Sequence, residues 1–280
     1  MHLKLRWFHT RFLTGPSGPW LGLTGLVALL AAGWPVAAAA AVLDELRAGG
    51  VLKVCMWPQY FGISYQNPRT GTLQGIDIDL SQALASDLGV RLEHVGTDFS
   101  RVIDDVEAGR CHIAMMGVGV TPARAARVDF STPYLRSDLY AITTRANTAI
   151  QRWEDIDQPG RVVVVQKGTI MEPAMQRLLK QATLQVVSRP SEREREVESG
   201  RADVFITDYP YSTRMLKNTD WARVIPPSGT VQLTDYAYAV PKGDAAWLAR
   251  VNRFVADIKR DGRLQRAAAP HDLTPILVKD

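Results

Sequence analysis

Cysteine and histidine are scarce in this 280-residue sequence, which has two and five of them respectively. The histidines and cysteines follow no metal-binding spacing, and no complete Walker motif is present. We therefore predict no metal and no cofactor. The longest apolar run, Trp20–Ala32, is also shorter than the roughly 20 residues that span a membrane. A transmembrane anchor is not expected.

The N-terminal region has the three parts of a secretory leader. Three basic residues without an acid precede the apolar run Trp20–Ala32, and the small-residue stretch Val36–Ala41 follows it. This order is typical of a cleavable signal peptide, which we predict over residues 1–41. No cysteine lies at the predicted junction, so a lipid anchor is not expected. The mature chain is predicted to be free in the periplasm.

The mature chain has little net charge. The full sequence has a formal charge of +4, and the leader contributes three Lys/Arg and no acid, which leaves +1. Such a balance gives no electrostatic reason for a nucleic-acid or anionic-membrane partner. We predict a monomer that binds a small molecule.

The two cysteines have two possible interpretations. Cys55 and Cys111 both lie on predicted strands in the same half of the chain. In an oxidising compartment they can form a disulfide. Two buried free thiols that pack as small hydrophobes are the alternative.

Strand and helix patterns alternate through the mature chain, which predicts an α/β fold with parallel sheets covered by helices. Ligands of such sheets bind beyond the carboxyl ends of the strands, where loops lead into helices. The predicted strands are Val51–Met56, Val90–Val95, Ile113–Met116, Leu139–Thr143, Arg161–Val165, Leu184–Val187, Ala202–Thr207 and Tyr236–Val240.

The segment after the third predicted strand has the features of an anion site. Gly117 and Gly119 allow backbone N–H groups to approach a ligand, and Thr121 followed by Pro122 begins a helix. Arg124 then lies in the first turn, where a cation is unfavourable unless an anion lies nearby. A surface arginine paired with an acid is the alternative interpretation.

The second half of the chain offers complementary groups. Gln166 to Ile170 form a strand-to-helix turn with backbone donors and the hydroxyl of Thr169. Asp208 ends a strand before Tyr209-Pro210, as either a helix cap or a carboxylate facing a cleft. An anion site and a separate carboxylate together suit a zwitterion.

Three aromatic residues, Trp57, Tyr60 and Phe99, follow strands in the first half. Such aromatics are either core residues or the walls of a ligand site.

Several segments resemble a known family in their order along the chain. Gly71–Leu80, Thr121–Arg124 with Val128–Tyr134, Gln166–Thr169 and Ala202–Asp208 are similar to motifs of the bacterial extracellular solute-binding proteins of polar amino-acid ABC transporters. The resemblance implies a two-lobed, type II periplasmic-binding-protein (Venus-flytrap) fold with two hinge crossings. Lobe 1 would comprise residues 42–135 and 236–280, and lobe 2 residues 136–235.

The resemblance also implies roles for the residues singled out above. Arg124, with the backbone N–H of Ile170, matches the position that binds the α-carboxylate of an amino acid, and Asp208 matches the partner of the α-ammonium. Tyr60 and Phe99 match an aromatic clamp, and Trp57 and Gln166 lie where the side chain is recognised. An ABC permease in the inner membrane would receive the ligand.

Two positions depart from the family pattern. Gly119 stands where Ser or Thr is common, which removes one hydroxyl donor. Trp57 stands where members that bind basic or amide side chains tend to carry an acid, so we expect an apolar or aromatic ligand side chain.

Two other functions remain open. The segment Glu154–Gly160 resembles periplasmic cyclohexadienyl dehydratases. Glu172 is the candidate proton donor of such an enzyme. The interpretation that we prefer for Glu172 is a first-turn acid stabilised by the helix dipole. Cys55 and the Gly109–Cys111 segment are similar to accessory proteins of periplasmic alcohol oxidation.

Overall fold

The computed structural model describes residues 42–279. The predicted signal peptide lies outside the described residues. Within residues 42–279, no helix is long and apolar enough to cross a membrane.

The strands of the described residues fall at or near the predicted positions, with several short strands in addition. They are β1 (Val51–Met56), β2 (Gln59–Tyr60), β3 (Ser64–Gln66), β4 (Leu73–Gln74), β5 (Arg91–Gly96), β6 (Ile113–Gly119), β7 (Val128–Phe130), β8 (Leu135–Ser137), β9 (Leu139–Thr144), β10 (Val162–Gln166), β11 (Thr183–Val187), β12 (Val204–Asp208), β13 (Ala222–Ile225) and β14 (Thr234–Pro241).

Helices connect most of these strands. They are α1 (Val42–Arg47), α2 (Ile76–Leu88), α3 (Val102–Glu107), α4 (Pro122–Ala125), α5 (Met171–Leu178), α6 (Pro190–Glu198), α7 (Tyr209–Asn218), α8 (Ala245–Arg260) and α9 (Arg263–Ala268), with short 3₁₀ turns at Trp153–Asp155, Ala269–His271 and Thr274–Ile276.

Two sheets form the centres of two lobes, and each sheet is mixed rather than purely parallel. The first has the order β5-β1-β6-β14-β7, with β8 also paired to β14. β1 is parallel to β5 and β6, whereas β14 runs antiparallel to β6. The second has the order β11-β10-β12-β9-β13, in which β9 is the antiparallel strand. The prediction of parallel sheets was therefore incomplete. β9 and β14 each directly follow a crossing between the sheets, and each enters its sheet from the end opposite to that at which the parallel strands begin.

Local sequence explains where the elements begin and end. The valine run of β10 is buried along most of its length, as expected for a strand covered on both faces. Gly89 ends α2 in the left-handed conformation at a φ of 67°, which a residue with a side chain adopts only at a cost. Asp208 caps α7, and proline at the first turn fixes its start.

The chain passes twice between the sheets. It leaves the first sheet after Ser137 and returns at Thr234, and these two residues are partners in the β8–β14 ladder. The first sheet thus extends two residues beyond each predicted limit of lobe 1. Its strands come from both ends of the described chain, and the second sheet is built entirely from the segment between the crossings.

Cys55 and Cys111 form a disulfide with a Cα–Cα distance of 5.5 Å. Both residues are fully buried in the core of the first lobe. Cys55 lies on β1 as predicted, but Cys111 lies two residues before β6 and not on a strand. The bridge therefore ties β1, which precedes the Trp57–Tyr60 segment, to the loop that enters β6.

Candidate functional site

A cavity between the two lobes brings all the predicted ligand-binding residues together. Its empty space is about 370 Å³, a volume that includes the opening to solvent. The predicted residues that line it are Trp57, Tyr60, Phe99, Gly117, Gly119, Arg124, Gln166, Thr169, Ile170 and Asp208.

Arg124 reaches from the first lobe to the second. Its backbone N–H is capped by the hydroxyl of Thr121 at 3.2 Å, which fixes the short helix α4. The guanidinium donates from Nη1 to the carbonyl of Gly119 at 2.8 Å and from Nη2 to the carbonyl of Gly168 at 2.9 Å. Burial lowers the pKa of Arg124 to about 10, so it remains charged at neutral pH. The alternative, a surface arginine paired with Asp129 or another acid, does not fit, because Arg124 bonds to these two carbonyls and Asp129 pairs with Lys242.

Asp208 is both a helix cap and a cavity carboxylate. It accepts the backbone N–H of Tyr211 at 3.2 Å, which caps α7. Its Oδ2 also accepts the hydroxyl of Tyr236 at 2.7 Å and that of Tyr60. Burial first, and the nearby Asp208 second, raise the pKa of both tyrosines well above their usual value. Both hydroxyls therefore stay protonated and donate to the carboxylate from the first lobe.

Three aromatic rings form one wall of the cavity. The ring centroids of Trp57 and Phe99 are 5.2 Å apart, those of Trp57 and Tyr60 5.4 Å, and those of Tyr60 and Phe99 5.7 Å. The guanidinium carbon of Arg124 lies 5.9 Å from the centroid of Phe99. Phe99 packs edge to face on both other rings, Trp57 and Tyr60 are tilted to each other, and the three rings form an apolar surface beside the cation.

The two glycines of the predicted anion site are each required by close packing. Gly117 has a φ of 61°, and a Cβ there would lie 3.1 Å from the Tyr60 ring. A Cβ at Gly119 would lie 2.9 Å from Cγ2 of Ile170 and 3.1 Å from Cγ2 of Thr234. The space that a serine side chain would take at position 119 is therefore filled by the second lobe and the crossing strand.

The turn after β10 places an unsatisfied acceptor at the cavity. The side chain of Gln166 is buried, and its Oε1 has no hydrogen-bond partner among the described residues. The hydroxyl of Thr169 donates to the backbone carbonyl of Gln166 at 2.7 Å, so this hydroxyl stabilises the turn. The buried Oε1 of Gln166 consequently has its acceptor capacity free for a ligand.

Five cavity residues were missed by the sequence analysis. Tyr236 was assigned only to a strand, and the charged run Ser191–Glu198 predicts a helix without indicating that it borders the cavity. Burial at Pro190, Arg193 and Val197 shows that one face of this helix points inward, at a spacing visible in the sequence. The missed residues are Met171, Arg193, Thr207, Tyr211 and Tyr236.

Glu172 does not line the cavity. Its Oε2 accepts the backbone N–H of Gly168 at 2.8 Å, as a first-turn acid of α5 does. The carboxylate that does line the cavity is Asp208.

Asp77 supports the cavity from behind. Its Oδ2 accepts the backbone N–H of Gly117 at 2.9 Å and the hydroxyl of Tyr134 at 2.6 Å, and Tyr238 approaches Oδ1 at 3.4 Å. Burial raises the pKa of Asp77 to about 7, although these donors act in the opposite direction.

This pKa predicts a pH-dependent loss of stability. Below about pH 4 Asp77 is protonated in both the folded and the unfolded chain. Between about pH 4 and 7 it ionises only in the unfolded chain, and this ionisation favours unfolding. We expect the free energy of unfolding of the wild type to fall relative to Asp77→Asn by a few kcal/mol across this range. Denaturant titrations of both proteins at pH 4.5 and 7.5 measure it, and a difference independent of pH would contradict the prediction.

A two-lobed α/β chain with a small cavity between its lobes has the architecture of a solute-binding protein. Residues 52–271 match the profile of the bacterial extracellular solute-binding proteins, family 3. The chain belongs to this family.

Individual relatives include both an enzyme and binding proteins. A cyclohexadienyl dehydratase of Pseudomonas aeruginosa is 29% identical over 80% of this chain and 83% of its own length. The structure of an ancestral amino-acid-binding protein, described as a precursor of cyclohexadienyl dehydratase, is 32% identical with a TM-score of 0.75, over 81% of this chain and 98% of its own. The amino-acid-binding protein AbpA of Streptococcus pneumoniae, solved with L-arginine, is 27% identical with a TM-score of 0.75, over 83% of this chain and 99% of its own.

Proposed function

We propose that this chain is the periplasmic receptor of an ABC importer, which captures an amino acid or a related small carboxylate between its lobes and delivers it to an inner-membrane permease. Family membership and amino-acid-binding neighbours support this function. The ligand-binding residues would be the predicted set that lines the cavity.

The observation that carries the proposal is a pair of opposite charges on opposite lobes. Arg124 follows β6 of the first lobe, and Asp208 ends β12 of the second, and both line the same cavity. A guanidinium presents several N–H donors to a carboxylate, and a carboxylate accepts from an ammonium group. The two groups together suit the main-chain end of a free amino acid.

Closure of the lobes would accompany capture. Arg124 donates to Gly168 and Tyr60 donates to Asp208, so polar contacts already join the lobes around the cavity. A ligand that touches both lobes stabilises the closed form over an open one. The closed form would then present both lobes to the permease.

The leader and the lobe limits belong to the same proposal. Residues 1–41 would act as a cleaved signal peptide, which places the mature chain in the periplasm. Lobe 1 would comprise residues 42–135 and 236–280, and lobe 2 residues 136–235. A monomer is expected, and its ABC permease would be its protein partner.

An enzyme of the cyclohexadienyl dehydratase type is the second candidate function, because one relative carries that name. Glu172, the candidate proton donor, accepts a hydrogen bond from the backbone N–H of Gly168, just before its own helix, and does not line the cavity. A dehydratase would therefore have to use Asp208, which already accepts three hydrogen bonds. This arrangement favours binding over catalysis. The accessory role in alcohol oxidation stays a prediction.

A ligand screen tests the proposal. The chain is expressed with its own leader, purified from the periplasm, stripped of ligand by unfolding and refolding, and melted with each common L-amino acid, prephenate and arogenate. A ligand at 100 times its Kd stabilises the fold by about 2.7 kcal/mol, which corresponds to a rise in Tm of roughly 5–10 °C. A rise with an amino acid supports the receptor, and turnover of prephenate or arogenate would favour the enzyme.

A further inference from the structure

Arg193 is a buried cation in the cavity wall without an acidic partner. It is 3% exposed and lines the cavity from α6. Its Nη1 donates to the carbonyl of Ile206 at 3.3 Å, and its Nε has no hydrogen-bond partner among the described residues. The guanidinium carbon lies 4.1 Å from the ring centroid of Tyr211 and 5.0 Å from that of Phe205. Two aromatic rings therefore hold the cation, but no carboxylate of the described residues forms an ion pair with it.

The acid that follows Arg193 in the sequence is already engaged elsewhere. Glu194 forms an ion pair with Arg214 at 2.5 Å and accepts the hydroxyl of Tyr211. The guanidinium carbon of Arg214 also lies 4.9 Å from the ring centroid of Tyr211. Glu194 is consequently not available to neutralise Arg193.

The cavity therefore has an excess of positive charge. Its charged lining residues in the described chain are Arg124, Arg193 and Asp208, that is, two cations and one anion. Tyr60 and Tyr236 stay protonated and contribute no charge. A zwitterion with one carboxylate would pair with Arg124 and Asp208 and would leave Arg193 without a counter-charge.

A buried charge without a partner is costly, and an anion placed beside it in a water-poor site binds strongly. We propose that Arg193 binds a second anionic group of the ligand, so that the ligand is a dicarboxylic amino acid or a related small dicarboxylate. This inference rests on the proposed function and specifies the ligand class of the same site.

A second anionic group on the ligand disagrees with the expectation of an apolar or aromatic ligand side chain, which rested on Trp57 alone. The aromatic wall of Trp57 and Phe99 would instead contact the methylene groups between the two carboxylates. The excess of positive charge also disfavours a cationic ligand such as the L-arginine of the Streptococcus pneumoniae protein.

Isosteric pairs of ligands test the second anionic group. Titration calorimetry of the ligand-stripped mature chain compares L-glutamate with L-glutamine and L-aspartate with L-asparagine, and includes succinate and glutarate. A charge-assisted hydrogen bond at Arg193 should make one acid bind roughly ten- to a hundredfold more tightly than its amide. In Arg193→Gln this preference should disappear, through weaker binding of the acid.

Two further variants separate charge recognition from folding. Arg193→Lys keeps the positive charge and should retain a preference for the acid. Arg195→Gln removes a positive charge from an exposed position of the same helix and should change nothing. A melting temperature for each variant shows whether it folds.

The outcomes distinguish this inference from the function on which it rests. An amide that binds as tightly as its acid, or equal losses for both in Arg193→Gln, overturns the role of Arg193 and leaves the amino-acid receptor intact. Binding of succinate or glutarate without any amino acid supports the second anionic group and contradicts the amino-acid function. Binding of none of these compounds overturns the role of Arg193, and it overturns the receptor as well if no other common L-amino acid raises the melting temperature.

Discussion

Replacing Arg124 with alanine should weaken binding of the ligand by a factor on the order of a hundred or more, since loss of one partner of a buried charge pair costs about 2–5 kcal/mol. The guanidinium is the group that would bind the carboxylate, and it also joins the lobes through the carbonyl of Gly168. Arg124→Lys keeps the charge without the two-pronged geometry and should recover only part of the affinity. Titration calorimetry with the compound identified by the ligand screen measures both effects.

Arg127→Ala is the matched control. Arg127 lies three residues further along the chain, is exposed, and pairs with Asp104 and Glu107 outside the cavity. Its loss removes the same charge and should leave the affinity unchanged. Equal affinity of Arg124→Ala and the wild type would show that Arg124 does not contact the ligand.

Gly168→Ala should weaken binding by roughly ten- to a hundredfold, because overpacking of a tight contact costs about 1–3 kcal/mol. A Cβ at this position would lie 2.6 Å from Cα and 2.7 Å from the backbone nitrogen of Ser100, across the cleft. Both atoms belong to a backbone, which cannot rotate away as a side chain does. The substitution should therefore hold the lobes apart and raise the ligand dissociation rate, measured by stopped-flow fluorescence of the cavity tryptophan.

Gly160→Ala provides the control for backbone strain. Gly160 has a φ of 80°, close to the 77° of Gly168, but a Cβ there would contact nothing within 4 Å. Both variants should lose a similar amount of unfolding free energy, and only Gly168→Ala should lose affinity. If both variants lost affinity, the weaker binding would come from backbone strain within the second lobe and not from hindered closure of the lobes.

Much of the site could be predicted because strand ends carry recognisable chemistry. Gly117 to Arg124 and the turn after Gln166 combine glycine, a hydroxyl and a helix start, which are local signals. Asp208 before Tyr209-Pro210 is a local signal as well. The burial of such groups at one edge of each sheet follows from the alternation of strands and helices.

The rest of the site depends on contacts between residues that are distant in the sequence, for which no local pattern exists. Tyr236 was placed in a strand, but its hydroxyl meets Asp208 only because β14 lies beside β6 at the crossing. Arg193 lies in a segment of alternating charges that resembles a solvated helix. Its burial depends on Phe205 and Tyr211, which the fold brings from the next strand and helix. The strands β9 and β14 were predicted, but a pattern of hydrophobic runs does not show that they pair antiparallel to their neighbours.

A receptor of this kind holds a small ligand in its cavity and releases it unchanged. Equilibrium dialysis of the ligand-stripped chain against the amino acids, the dicarboxylates, prephenate and arogenate, with mass spectrometry of both compartments, tests it most directly. We expect one compound to accumulate with the protein in a one-to-one ratio and to be recovered intact, and we expect Arg124→Ala to abolish the accumulation. Conversion of a compound into product in both compartments, or accumulation that does not depend on Arg124, would contradict it.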